Sequence, residues 1–150
     1  MVGLALAGCT PAPASEPDPS ATPTRSGSST GGPTSTATPE PTLVPDGTAA
    51  DNLPLFAAIT ASVWASEDRN GGRAYIDALV VAGFDKAAMQ VTRDRSTVGN
   101  QAESIQFSVK WGEECLIGQV GPATGDPVTV VVPVLVEGTC LVGETRPIDW

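Results

Sequence analysis

The sequence predicts an α+β domain over residues 49–150, two N-terminal helices followed by a small antiparallel β-sheet, with one disulfide. Three observations carry this prediction. Apolar residues recur at spacings of three and four in two segments before residue 84, strict two-residue alternation appears from Ile105 onward, and two cysteines, Cys115 and Cys140, fall in the later half.

Asp51 and Asn52 ahead of Pro54 have the form of a helix entry, a capping residue followed by a first-turn proline. Phe56, Ile59 and Val63 then share one stripe, and the polar run from Glu67 to Gly72 stops the helix near Ser66. A second helix starts at about Arg73, with Tyr75, Ile76, Leu79 and Val80 on its core face and Gly83 as its left-handed C-terminal residue. Phe84 packs back, and Asp85 caps a short turn through Ala88.

Residues 89–95 form an early strand, joined by a polar loop around Gly99 to the clearest strand in the chain. There Ile105, Phe107, Val109 and Trp111 alternate with Ser104, Gln106, Ser108 and Lys110, which predicts one buried and one wet face. Gly112-Glu113 turns the chain into an antiparallel partner, Glu114–Val120. Residues 128–136 are continuously apolar and β-branched, a strand that Pro133 restricts to an edge or a break, with helix for part of the stretch as the alternative. Residues 139–143 complete the sheet as a last short strand. Trp64 and Trp111 lie on apolar stripes and read as core.

The N-terminal third has a different chemistry. Leu6-Ala7-Gly8-Cys9 has the shape of a lipobox: Ala7 and Gly8 are small enough to precede a signal-peptidase cut, and the Cys9 thiol would carry a diacylglyceryl group. Residues 1–9 are then the remnant of a signal peptide whose basic segment and longer apolar run are missing, pointing to a start placed too late or a truncation. The alternative is an ordinary apolar N-terminus with a free cysteine. Residues 10–48 hold 9 of the 14 prolines among Ser, Thr, Ala and Gly, and their one strongly apolar pair is Leu43-Val44. Such a segment buries too little surface to offset chain entropy, so a disordered tether reaching roughly 35 to 120 Å is expected. No run approaches the ~18 apolar residues of a spanning helix, so the membrane partner would be reached through Cys9 alone.

With Cys9 assigned to lipid, Cys115 and Cys140 remain as an even pair, most simply a disulfide in an oxidising compartment, worth ~3 kcal/mol in the chain-entropy model. Cys115-Leu116-Ile117-Gly118 is echoed by Cys140-Leu141-Val142-Gly143, which reads as two strands tied side by side or at a common sheet end, with a chance echo as the alternative.

Net charge is −9, with 13 acids against 7 Lys and Arg after residue 48, which disfavours nucleic acid and anionic lipid headgroups as partners. Histidine is absent, and with it the relay of Ser-His-Asp and Cys-His enzymes. Ser96, Ser104 and Ser108 have no base at a recognisable spacing, and Gly71-Gly72 and Gly112 lack the lysine-serine ending of a phosphate loop. Glu113, Glu114, Glu137, Glu144 and Asp149 cluster near the two cysteines in sequence, where they read as solvated turn residues, and no metal or cofactor is expected. The ending offers two readings. Ile148 and Trp150 dock onto the sheet, or Arg146 pairs with Asp149 beside Trp150 as a small recognition site.

The segments Tyr75–Leu79 and 82–92, the run 104–112, Cys115-Leu116-Ile117-Gly118-Gln119 and the ending 140–150 together resemble a family of small actinobacterial lipoproteins with a C-terminal domain of unknown function. The resemblance covers most of residues 70–150 and implies a secreted, lipid-anchored protein without carrying over a catalytic residue. The expectation is a non-enzymatic, lipid-anchored extracytoplasmic binding or interaction module on the outer face of the cytoplasmic membrane, with an envelope protein or ligand as partner. The alternatives are a carboxylate-dependent envelope hydrolase and an accessory subunit of an envelope complex or transporter.

Overall fold

Helix α1, Ala49–Trp64, opens about one turn earlier than the sequence suggests, because Thr48 and not Asp51 is its cap. In this computed structural model, which describes residues 39–150, the Thr48 hydroxyl accepts from the Asp51 N–H while the Asp51 carboxylate accepts from the Thr48 N–H, a reciprocal capping box. Pro54 therefore lies inside the helix rather than in its first turn. Cys9 and residues 10–38 of the expected tether lie outside the described residues.

The folded part reaches back past residue 48. Asn52, fully buried, accepts from the Val44 N–H at 2.8 Å and donates to the carbonyls of Val44 and Thr48. The Trp111 indole donates to the Gly47 carbonyl at 2.8 Å. Residues 43–48, placed in the tether by composition, are thus fastened to α1 and to the sheet.

After a 3-10 turn, Glu67–Asn70, helix α2 spans Gly72–Val81 and buries Tyr75, Ile76 and Leu79. Val80, expected on that face, is 37% exposed. Gly83 adopts the expected left-handed conformation (φ 101°) and Phe84 is buried. Asp85 caps the short turn Lys86–Ala88 through the Ala87 N–H.

Four strands follow, β1 Met89–Val91, β2 Ile105–Trp111, β3 Glu114–Val120 and β4 Val128–Pro133, in an antiparallel sheet of that spatial order. β1 is shorter than the 89–95 expected, and β4 is a strand that stops at Pro133, on the sheet edge where a missing N–H is tolerated. The helices cover one face of the sheet, α1 over β3 and β4, α2 over β1 and β2. Phe107 sits at the centre of this core, stacked on Tyr75 at 4.6 Å and 5.7 Å from the Phe56 ring. Gly118 pairs with Phe107 across β2 and β3, and a Cβ there would lie 2.3 Å from that ring. The residue opposite Phe107 has no side chain because the ring lies over it.

The second face of the sheet is not simply wet. Ser108 is fully buried there, and the loop of residues 134–143 folds back so that Cys140 and Leu141 are buried as well. Cys115 and Cys140 form a disulfide, with Cα atoms 5.7 Å apart, which ties this loop to β3. The expected last strand, 139–143, does not form. The N–H groups of Cys140 and Leu141 are both taken by the side-chain oxygen of Gln90, at 2.7 and 3.2 Å, instead of by a neighbouring strand.

Candidate functional site

The end of the sheet beyond β1 gathers three of the seven Lys and Arg residues that follow residue 48 in this acidic chain, Arg93, Arg95 and Arg146. Past Val91 the chain continues alongside β2, with the Thr92 N–H donating to Gln106 and the Thr92 hydroxyl accepting from the Gln106 N–H. On its other side Thr92 bridges to Thr145, and the Arg146 N–H donates to the Val91 carbonyl at 2.9 Å. The C-terminal segment is held against β1 by these backbone contacts.

The chain then makes a narrow hairpin. Ala102 N–H donates to the Asp94 carbonyl, Ser96 N–H to Asn100 and Gly99 N–H to Ser96, with Gly99 left-handed at φ 85°. Between this hairpin and the C-terminal segment lies a cleft of about 600 Å³ lined by Arg93, Asp94, Arg95, Ser96, Thr97, Gly99, Glu144 and Arg146. Arg93 pairs with Glu144 at 2.7 Å and Arg146 with Asp94 at 3.1 Å. Asp94 also accepts from the Gly72 N–H at 2.8 Å, so one carboxylate joins the start of α2 to the tail. Arg95 donates to the Gly99 carbonyl and has no carboxylate partner among the described residues. The lining therefore carries three guanidiniums against two carboxylates. Arg95 and Asp94 also border a second cavity of about 320 Å³ with Asn70 and Gln101.

Arg146 links the cleft to Trp150. Its guanidinium carbon lies 4.8 Å from the indole centroid, and Arg73 and Lys86 approach the same ring at 5.2 and 5.4 Å. The indole N–H donates to Asp77 at 2.8 Å, Asp77 pairs with Arg73, and the Lys86 ammonium donates to the Trp150 carbonyl. Burial pushes the Asp77 carboxyl up, but the hydrogen bonds from Trp150 and Arg73, with the charges of Arg73 and Lys86, together hold it below the ordinary carboxylate range. Ile148 and Trp150 pack against the core.

Of the residues singled out in the sequence, Arg146 and Trp150 meet, whereas Asp149 is exposed and Arg146 takes Asp94 as its partner instead. Glu144 enters the cleft, while Glu113, Glu114 and Glu137 are exposed. No group of three or more His, Cys, Asp or Glu able to hold a metal ion occurs among the described residues. Ser96 lines the cleft, but Ser108 is buried in the sheet with no partner for its hydroxyl among the described residues. Arg93 and Arg95 are the site residues that pattern reading passed over. Their signal was the Arg-Asp-Arg triplet at 93–95, two guanidiniums around one acid in a chain of net charge −9.

Residues 60–144 match the family described as Domain of unknown function (DUF6993). No curated protein and no solved structure matches the chain.

Proposed function

The chain belongs to the DUF6993 family, and from that premise we propose that it is a lipid-anchored extracytoplasmic binding module, similar to small actinobacterial lipoproteins, that acts at the cell envelope without catalysing a reaction. The observation that carries the binding role is the cleft at the β1 end, where Arg93, Arg95 and Arg146 converge between a hairpin and the C-terminal segment. Guanidiniums hold ligands through fixed forks of donors, which suits recognition more than proton transfer at neutral pH. The placement rests on three further features. Leu6-Ala7-Gly8-Cys9 supplies a lipidation signal, and the Cys115–Cys140 disulfide suits an oxidising compartment. The Pro, Ser and Thr-rich residues between Cys9 and the domain provide the spacer such an arrangement needs.

Metabolic labelling of the full chain with a fatty-acid probe, followed by membrane fractionation, tests the placement. Label on the wild type that is lost in Cys9→Ser, with the wild type in the membrane fraction, is the expected result. Unlabelled precursor recovered with cytosolic proteins would overturn the reading.

A further inference from the structure

We propose that the cleft between the 94–102 hairpin and the C-terminal segment binds a phosphate ester, with Arg95 as its principal ligand. The inference deepens the binding role proposed above and rests on it. Seven Lys and Arg follow residue 48, and three of them, Arg93, Arg95 and Arg146, line this one cleft.

Charge compensation inside the cleft is incomplete in a specific way. Glu144 neutralises Arg93 and Asp94 neutralises Arg146, leaving the surplus positive charge on Arg95. Arg95 spends one nitrogen on the Gly99 carbonyl, a contact that braces the hairpin and holds the guanidinium at the cleft wall. Its other donors are unspent among the described residues. The Arg93–Glu144 pair is exposed on both sides, with side chains 59% and 71% accessible, so it is a weak bond that an entering anion can displace. Arg146 is more firmly held, between Asp94 and the Trp150 ring, and contributes fixed positive charge rather than a mobile contact.

Ser96 and Thr97 add two hydroxyl groups to the same wall. A carboxylate offers two acceptor oxygens, whereas a phosphate ester offers more and can use guanidinium and hydroxyl donors together. A volume of about 600 Å³ accommodates a sugar or glycerol carrying the phosphate. The ester can come from a soluble or wall-linked sugar phosphate or from a lipid headgroup. The net charge of −9 repels an anionic membrane as a whole, so the soluble or wall-linked source is expected.

The test titrates the full chain with inorganic phosphate at constant ionic strength, following arginine side-chain N–H resonances and heat of binding. The expected result is saturable binding with the Arg95 resonance shifted. Arg95→Gln should weaken it about tenfold, the loss of one charge-assisted contact, with the unfolding midpoint lowered by no more than loss of the exposed Gly99 hydrogen bond accounts for. Arg69→Gln, which alters a cation outside the cleft lining, should bind like wild type. Sedimentation of the Cys9→Ser chain, which has no lipid of its own, with phosphatidylglycerol vesicles separates the sources: binding lost on adding Arg95→Gln assigns a headgroup ester, and vesicle binding that is absent or indifferent to Arg95, beside Arg95-dependent phosphate binding, assigns the soluble or wall-linked ester. Absence of saturable phosphate binding, equal binding by chloride, or equal affinity in Arg95→Gln would overturn the proposal. None of those results alters the labelling at Cys9, so failure of the ligand assignment and failure of the envelope placement are distinguishable.

Discussion

Asp77 shows how one side chain fastens the tail to the helical layer. It accepts from the Trp150 indole at 2.8 Å and from Arg73 at 3.1 Å, and Lys86, 5.4 Å from the centroid of the same ring, adds its charge. Because its folded pKa is lowered, its stabilisation is complete above the unfolded carboxyl value of about 3.9 and is lost as pH falls through the folded value. Asp77→Asn removes this linkage. The stability advantage of wild type over Asp77→Asn, measured by urea unfolding, should therefore be constant near neutrality and shrink steadily on acidification below about pH 4. Tryptophan emission, taken as the difference from a Trp150→Phe variant because Trp64 and Trp111 also emit, reports the same event at the tail. An advantage that stayed constant down to full protonation would remove Asp77 from the account of docking. Tyr75 illustrates the opposite direction: burial pushes its hydroxyl up to about 12, so it stays a neutral donor to the Arg69 carbonyl. At this scale the sequence was partly legible. The types Arg146, Ile148 and Trp150 announced a docking end, but the identity of the partner acids did not, because Asp77 and Asp94 lie 73 and 52 positions away.

Among the elements, those set by local chemistry were readable and those set by distant contacts were not. β2 announced itself by alternation, and Gly112 (φ 62°) supplied the turn into β3. The start of α1 was also written locally, as Thr48 followed three residues later by Asp51, but composition drew attention to the prolines instead. The 139–143 segment was misleading. Its echo of the β3 sequence suggested another strand, yet its amides are claimed by a side chain from β1, Gln90, 50 positions earlier. Gln90→Leu keeps the size of that side chain and removes the acceptor. The two amides would then be left without a partner, at a cost of about 1–3 kcal/mol. Hydrogen exchange should quicken at Cys140 and Leu141, while the β2–β3 amides change only as far as global stability does. Unchanged protection at both amides would mean that the disulfide alone holds the loop.

Across the whole domain, the two faces of the sheet are secured by different means. The helix-covered face holds the aromatic cluster of Phe56, Tyr75, Phe84, Phe107 and Trp111, and the opposite face is closed by a loop tied to β3 through Cys115–Cys140. The order of elements follows from short-range patterns and so was predictable, but which face each loop covers depends on pairs far apart in sequence. This division has a measurable consequence. The bridge closes a 25-residue separation that includes β4, and its loss should cost about 3 kcal/mol in the chain-entropy model. Replacing both cysteines by serine leaves the aromatic core untouched, since neither sulfur lies on that face. The double variant should therefore keep its helical and sheet circular dichroism at room temperature and unfold at lower denaturant concentration. Residues 134–143 should become the first site of proteolysis, because what would still hold them is a small set of contacts: those of Gln90, the Val134 N–H to the Glu113 carbonyl, Lys110 to the Gly138 carbonyl, and burial of Leu141. Loss of all regular structure in the variant would show instead that the two faces fold as one unit, with the bridge needed for both. An unaltered unfolding midpoint would show that the loop is held without it.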